Sequence, residues 1–310
     1  MDDKPKTEPL SPLDIAMRSC LLPEVAREYE RVREAFSGRT QYIFSPYGHC
    51  LQISDILRAH FLIANHFLIE GYGVGGIGPR DNGLLESAAY RQVVSLDGKE
   101  KWQDKFDICA TLFYGLIMGH AFHDANKRTA FLSLLYQLQI QGWCPSVDQQ
   151  TFEDFTVNIA NHQLKDHPKF SEFASRYPDE HEVKYIGYWI RRHVRKIDNK
   201  GRVISFRELK SVLNRYGYTL GNPHRNRIDV VFFRRHEGDS ADATEEMRVG
   251  QIGFPSWSKQ VSKSDLKLVR ELTGLTPDAG VDAAAFFDGL DPMQKLITTY
   301  HEPLLRLANR

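Results

Sequence analysis

Phe106-Asp107-Ile108-Cys109-Ala110-Thr111-Leu112-Phe113-Tyr114-Gly115-Leu116-Ile117-Met118-Gly119, then His120-Ala121-Phe122-His123-Asp124-Ala125, then Asn126-Lys127-Arg128-Thr129-Ala130, is the stretch on which the fold turns. The first part is apolar on nearly every side of a helical projection, which predicts a buried central helix over Trp102–Gly119. The last part opens a second helix over Asn126–Gln141, stopped by Gly142. Two buried helices joined by a six-residue polar loop predict an all-α domain with a site at the junction.

That junction suits phosphate. The first-turn amides of a helix lack intrahelical acceptors, and the helix dipole adds about half a positive charge there. Lys127 and Arg128 add two full charges at the end of a helix where cations are disfavoured. Asn126 offers an amide donor to a polyphosphate oxygen. Asp124, just before the helix, is placed to hold Mg²⁺, which proteins commonly bind through one or two carboxylates plus substrate phosphates. His120 precedes it on the loop, and histidine is the side chain suited to accept a hydroxyl proton near neutral pH. Taken singly, the histidine and the aspartate read as ordinary caps and the basic pair as solvated surface. Together they read as a phosphate-transfer site.

His120-x-Phe122-x-Asp124-Ala125-Asn126-Lys127-Arg128-Thr129-Ala130 resembles the signature of the Fic/Doc family, in particular its death-on-curing (Doc) branch. Upstream, Arg80-Asp81-Asn82-Gly83-Leu84-Leu85-Glu86-Ser87-Ala88 resembles a second Doc segment, so the resemblance covers about residues 50–165. It implies His120 as general base toward a Ser or Thr hydroxyl of a protein target, and Phe122 as a buried anchor of the loop. It implies Asp124 as the Mg²⁺ ligand, with Asn126, Lys127 and Arg128 on the phosphates of ATP. The commoner Fic pattern, HxFx(D/E)GNGRxxR, belongs to members that transfer AMP to protein hydroxyls (AMPylation). Here Ala125 and Lys127 replace its two glycines, and Phe131 replaces its second, phosphate-binding arginine. The lysine form is that of Doc, in which the nucleotide is bound reversed and the γ-phosphate passes to a threonine of elongation factor Tu. The resemblance therefore implies a toxin-like protein kinase, with AMP transfer as the alternative. No Ser or Thr is followed four residues later by Glu and then Gly or Asn, the family's inhibitory motif, so any restraint is expected from a separate antitoxin chain.

Working outward, Pro12–Phe36 has helical apolar spacing that Pro23 must break or restart, within an N-terminal helical extension of residues 1–49. Ser54–Glu70 is strongly helical, with Ser54 as the expected N-cap. Gly71–Gly78 holds five glycines and falls where the family places a flap that docks an extended target chain. Asn82–Gln92 and Gln150–Asn161 complete the helices of a domain over residues 50–178.

Beyond it the charge swings. The chain has 40 basic and 40 acidic residues, but residues 181–237 hold 14 Lys and Arg against 5 Asp and Glu. A basic helix over Val183–Lys196 and a helix over Phe206–Arg215 capped by Ser205 are expected there. A hairpin follows, formed by Tyr216–Leu220 and Ile228–Phe233 around Gly221-Asn222-Pro223. Residues 236–246 read as an exposed acidic loop, and Lys263–Gly274 and Asp282–Leu307 as helical tail. Residues 181–310 thus form a smaller α+β module, with nucleic acid as a possible partner for residues 183–235. The fold class is mainly α, an all-α domain followed by that module. The four cysteines lie far apart and give no disulfide framework and no zinc spacing. No run approaches the roughly 18 apolar residues of a spanning helix, and the start lacks a signal-peptide core, so a cytoplasmic protein without membrane contact is expected.

Overall fold

The computed structural model describes residues 20–38, 41–72, 75–197, 204–235, 244–276, 281, 286–287 and 292–310. Two compact units emerge. One takes in residues 20–197 together with 293–310, and the other lies within residues 198–292. The first unit is helical: α1 (Pro23–Phe36), α2 (Ile53–Ile69), α3 (Asn82–Tyr90), α4 (Lys105–Gly119), α5 (Asn126–Ile140), α6 (Gln149–Ala160), α7 (Phe170–Arg176) and α8 (His181–His193). Two small ribbons accompany them, β1 (Ser95–Leu96) with β2 (Lys99–Glu100), and β3 (Trp143–Pro145) with β4 (Val194–Lys196). The second unit holds α9 (Phe206–Asn214), an antiparallel sheet of β5 (Tyr218–His224), β6 (Arg227–Arg235) and β7 (Thr244–Gly253), and α10 (Lys263–Thr273). Helices α11 (Pro292–Thr299) and α12 (His301–Asn309) end the chain, and α12 packs on α5 and α6. The protein is mainly α with a smaller α+β part.

Helix α4 is the hub. It touches α3, α5, α6 and α8, and Phe106, Ile108, Cys109, Leu112, Phe113, Leu116 and Ile117 are all buried. Each large apolar side chain so enclosed contributes about 1.5–3 kcal/mol relative to exposure. Asp104 starts the helix by accepting the Phe106 N–H at 2.9 Å, three residues later than the start expected at Trp102. Helix α2 begins at Ile53, and the Asp55 carboxylate, rather than Ser54, secures its start by accepting the Gln52 N–H at 3.0 Å. Pro23 does restart a helix, sitting at the first position of α1, where its missing N–H costs nothing. The part of the Pro12–Phe36 expectation before Cys20 lies outside the described residues.

Helix α8 belongs to the first unit, so the contact boundary falls after Ile197 rather than at residues 178–181, and α11 and α12 rejoin the first unit. The reason is aromatic packing: Tyr185 and Trp189 are buried, and Trp189 stacks on Phe155 with ring centroids 3.7 Å apart. The cations of α8 are partly engaged as well, Lys184 with Asp107 at 2.8 Å and Arg191 with Asp104 at 2.7 Å. The basic stretch is therefore divided between the units, and two of its aromatics face a core instead of solvent.

In the second unit the strands cross over Phe206, Leu209, Leu213, Leu220, Ile228, Val230 and Ile252. The hairpin turns at Arg225-Asn226, both at positive φ, with β5 running through Gly221, Asn222 and Pro223 to His224. Two successive positive φ values match the twist of a two-residue hairpin, which Gly221-Asn222-Pro223 could not supply because proline fixes φ negative. Proline is tolerated in β5 because that strand is an edge. Residues 236–243 lie outside the described residues, and Thr244 to Glu246, expected in a loop, open β7. Among the described residues, no helix is long and apolar enough to cross a membrane.

Candidate active site

The loop between α4 and α5 leaves the first helix through His120, which caps it in the left-handed region at φ 45° and ψ 47° with an exposed side chain. A left-handed residue ends a helix by turning its next amide away from the helical ladder. Phe122 then drops into the core at 1% exposure, stacked on the His60 ring with centroids 4.0 Å apart and planes 12° from parallel. His60 is itself fully buried on α2. Its Nε2 accepts the Gly78 N–H at 2.9 Å and its Nδ1 meets the Thr129 hydroxyl at 3.1 Å. One imidazole thus ties the glycine-rich loop, the motif loop and α5 together. An accepting Nε2 requires the proton on Nδ1, so His60 is neutral and Thr129 accepts.

Burial pushes the His60 pKa down to about 3, with the Arg128 charge acting the same way and Asp124 opposing. Below an ordinary histidine pKa near 6.5 the unfolded chain takes a proton that the folded chain refuses. The stabilisation is therefore complete above about pH 6.5 and is lost progressively as pH falls toward 3, with a slope of at most about 1.4 kcal/mol per pH unit from this group. Urea midpoints between pH 7 and 4.5 should decline in the wild type, with a shallower decline in His60→Asn. Parallel declines would show that His60 does not set the slope.

The chain from Gly75 to Asp81 lies along the motif loop. Pro79 and Phe122 form an antiparallel bridge, and the Ala121 carbonyl accepts the Arg80 N–H at 2.8 Å. Gly76 is required by this approach, since a Cβ there would stand 2.7 Å from the His123 Cβ. The Gly75 N–H donates to Asp124 Oδ2 at 2.9 Å. The Ala125 N–H donates to Oδ1 of the same carboxylate, and Arg128 Nη2 lies 3.4 Å from Oδ2. Partial burial alone would raise the Asp124 pKa, but those two N–H donors and the Arg128 charge outweigh it and hold the carboxyl below its usual range. Asp124 is thus ionised at neutral pH, and its side chain keeps 38% exposure. An ionised, partly open carboxylate fits a hard cation such as Mg²⁺.

Ala125 enters α5 at φ 59°, a conformation costing a non-glycine residue about 1–2 kcal/mol. Among the described residues no side chain caps this helix start, whereas Asp81, Asp104, Asp148, Ser205 and Ser262 cap α3, α4, α6, α9 and α10. Asn126 turns back instead: its Oδ1 accepts the Phe122 N–H at 2.9 Å and its Nδ2 donates to the Phe122 carbonyl at 3.0 Å. Donation to Phe122 uses one of the two N–H donors of the Asn126 amide. Arg128 is 3% exposed, its guanidinium lies 5.0 Å from the centre of the Phe67 ring, and its Nε has no hydrogen-bond partner among the described residues. Burying a guanidinium with an unmet N–H costs free energy that an incoming anion would return. Lys127 is partly buried, which lowers its pKa, with repulsion from Arg128 and Arg310 adding to the effect. Its ammonium donates to the main-chain oxygen of Arg310.

Asp124, Lys127 and Arg128 thus stand at one helix start, Asn126 holds the loop, and His120 lies exposed at the end of α4 where that loop begins. His60 carries no mark of its role in the sequence, where it reads as one more residue of a buried helix face. Nor did it show Gly75 as a donor to Asp124, or Arg310 beside Lys127. Those partners are distant in the chain and carry no spacing signal.

Residues 51–138 match the Fic/DOC family model, a span from the residue before Gln52 at the start of α2 to near the end of α5 that includes the whole loop. No curated protein and no solved structure matches the chain. The family match supports a Fic-type transferase acting on proteins, by AMP or by phosphate transfer.

Proposed function

We propose that the protein transfers the γ-phosphate of ATP to a Ser or Thr hydroxyl of a target protein, with the loop between α4 and α5 as its active site. The observation that carries the reading is the uncapped, doubly cationic start of α5 beside the ionised Asp124. A polyphosphate would meet the first-turn amides, Lys127 and Arg128 there, and the unmet Arg128 Nε would gain an acceptor. Asp124 would hold Mg²⁺, which when bound neutralises charge on the phosphate oxygens. His120, exposed at the mouth of the loop, would take the hydroxyl proton. The hydroxyl oxygen bonds to the γ-phosphorus as the bond to the bridging oxygen breaks, and ADP leaves. Most of the acceleration comes from positioning and charge neutralisation.

Phosphate transfer is favoured over AMP transfer by position 131. Phe131 is fully buried and packs edge-on to Tyr300 with centroids 5.8 Å apart, so no cation stands where the AMP-transferring pattern has its second arginine. Elongation factor Tu as target and a separate antitoxin as inhibitor follow from the resemblance to Doc alone. The test is transfer from ATP labelled at the γ or the α position to proteins of a bacterial lysate. Label from the γ position only is expected. Label from the α position would replace this reading with AMP transfer, and no label from either would remove both.

A further inference from the structure

Away from the loop, the end of α2 and the first turn of α12 bring together three side chains that chemistry would choose for a metal. His66 and Glu70 stand one helical turn apart, and His301 reaches them from 231 residues beyond Glu70. His301 Nε2 lies 2.8 Å from Glu70 Oε2, and His66 Nε2 lies 3.4 Å from Glu70 Oε1. One ligand atom from each residue falls within 4.8 Å of the other two. A tetrahedral zinc with bonds of about 2.0–2.1 Å sets its ligand atoms roughly 3.3–3.5 Å apart, so small side-chain adjustments close the set.

Three further features separate this trio from a surface ion pair. His66 Nε2 is buried from solvent and makes no hydrogen bond among the described residues, which leaves its lone pair or proton unmet by them. Burial lowers the His66 pKa against the pull of Glu70, which favours the neutral ring that a metal needs. Glu70 caps the C-terminal end of α2, where the helix dipole repels a carboxylate and a cation belongs. A hydrogen bond from His301 holds its carboxyl below the usual range, so the oxygen donor is ionised. The Glu302 carboxylate lies 3.8 Å from His301 Nδ1, on the side where metal-bound imidazoles commonly find an outer acceptor.

We propose that His66, Glu70 and His301 bind a zinc-type dication, with water in the fourth position. Two imidazoles and one carboxylate favour such an ion over Mg²⁺, which takes oxygen ligands. The ion would clip α12 to α2. Helix α12 packs on α5, and the residue that ends the chain meets Lys127, so the clip also steadies the C-terminal side of the loop site. It is separate from the cation proposed for Asp124 and does not depend on the transfer reaction.

The test uses the full chain, stripped with chelator and desalted, titrated with Zn²⁺ by calorimetry and with Co²⁺ by visible absorption. One ion per chain is expected, with an intense tetrahedral Co²⁺ spectrum and a higher melting temperature when Zn²⁺ is added. His301→Ala and Glu70→Gln should each weaken binding by about 100-fold or more and abolish the thermal shift. His301 is 30% exposed and glutamine keeps the shape of glutamate, so both variants should fold, which circular dichroism checks. Wild-type affinity in either variant would show that the ion sits on other histidines and overturn the assignment. Absence of binding by the wild type would overturn it equally.

Discussion

His120→Ala is expected to lower the rate of transfer to protein by about 10²–10⁴-fold while leaving nucleotide binding within about twofold. The magnitude is that of losing a positioned general base from a reaction whose other components stay in place. They should stay in place because the His120 side chain is exposed, and the loop is held instead by Phe122, His60, Asn126 and Gly75. His120 adopts a left-handed backbone, which alanine tolerates only with strain, so a second variant, His120→Asn, separates lost chemistry from a disturbed loop. Asparagine accepts that conformation and keeps polarity but cannot serve as a base. Both variants should lose transfer by about that factor, with the melting temperature unchanged in His120→Asn and lowered in His120→Ala by the strain of its backbone. An active His120→Asn would remove His120 from the proton-transfer role.

Phe122→Ala is expected to be the most damaging change to the loop's stability, at about 3–5 kcal/mol by urea unfolding. The ring is buried and lies face to face with His60, and its removal would leave a cavity beside a buried polar group. Its main-chain N–H and carbonyl are the partners of Asn126, so the cavity adjoins the hinge into α5. Activity should fall further than the unfolded fraction explains, because Asp124 and the first turn of α5 would lose their fixed separation. Phe122→Leu, which refills most of the space, should recover much of both losses. A loss under about 1 kcal/mol in Phe122→Ala would mean that the loop is anchored elsewhere.

The first unit was legible in the sequence to the extent that its helices are controlled locally. All-round apolarity marks α4, and a charged break followed by a renewed apolar run marks the loop and α5. Ends were less legible, as Ser54 shows: serine is a good cap, but the Asp55 carboxylate reaches the Gln52 N–H. What escaped was long-range. Trp189 and Tyr185 sit in a strongly basic stretch, and charge gave no sign that both rings would be buried in the first unit. β7 was hidden because Thr244–Gly253 is largely polar, and its stability rests on pairing with β6 along its length. The return of α12 follows from Arg306 and Arg310 on the buried Glu153, at 2.7 and 2.8 Å, a pairing across some 150 residues. At the site, residue types and order announced a phosphate chemistry, but the sequence could not show that the Asn126 amide is engaged by Phe122 or that Lys127 reaches Arg310.

The mass added to an acceptor protein by the full chain with ATP and Mg²⁺, located by peptide fragmentation, bears most directly on phosphate transfer from this loop. A phosphoryl increment on a serine or threonine, missing when His120→Ala replaces the wild type, is the outcome required. An adenylyl increment at that residue, or a phosphoryl increment that persists in His120→Ala, would contradict it.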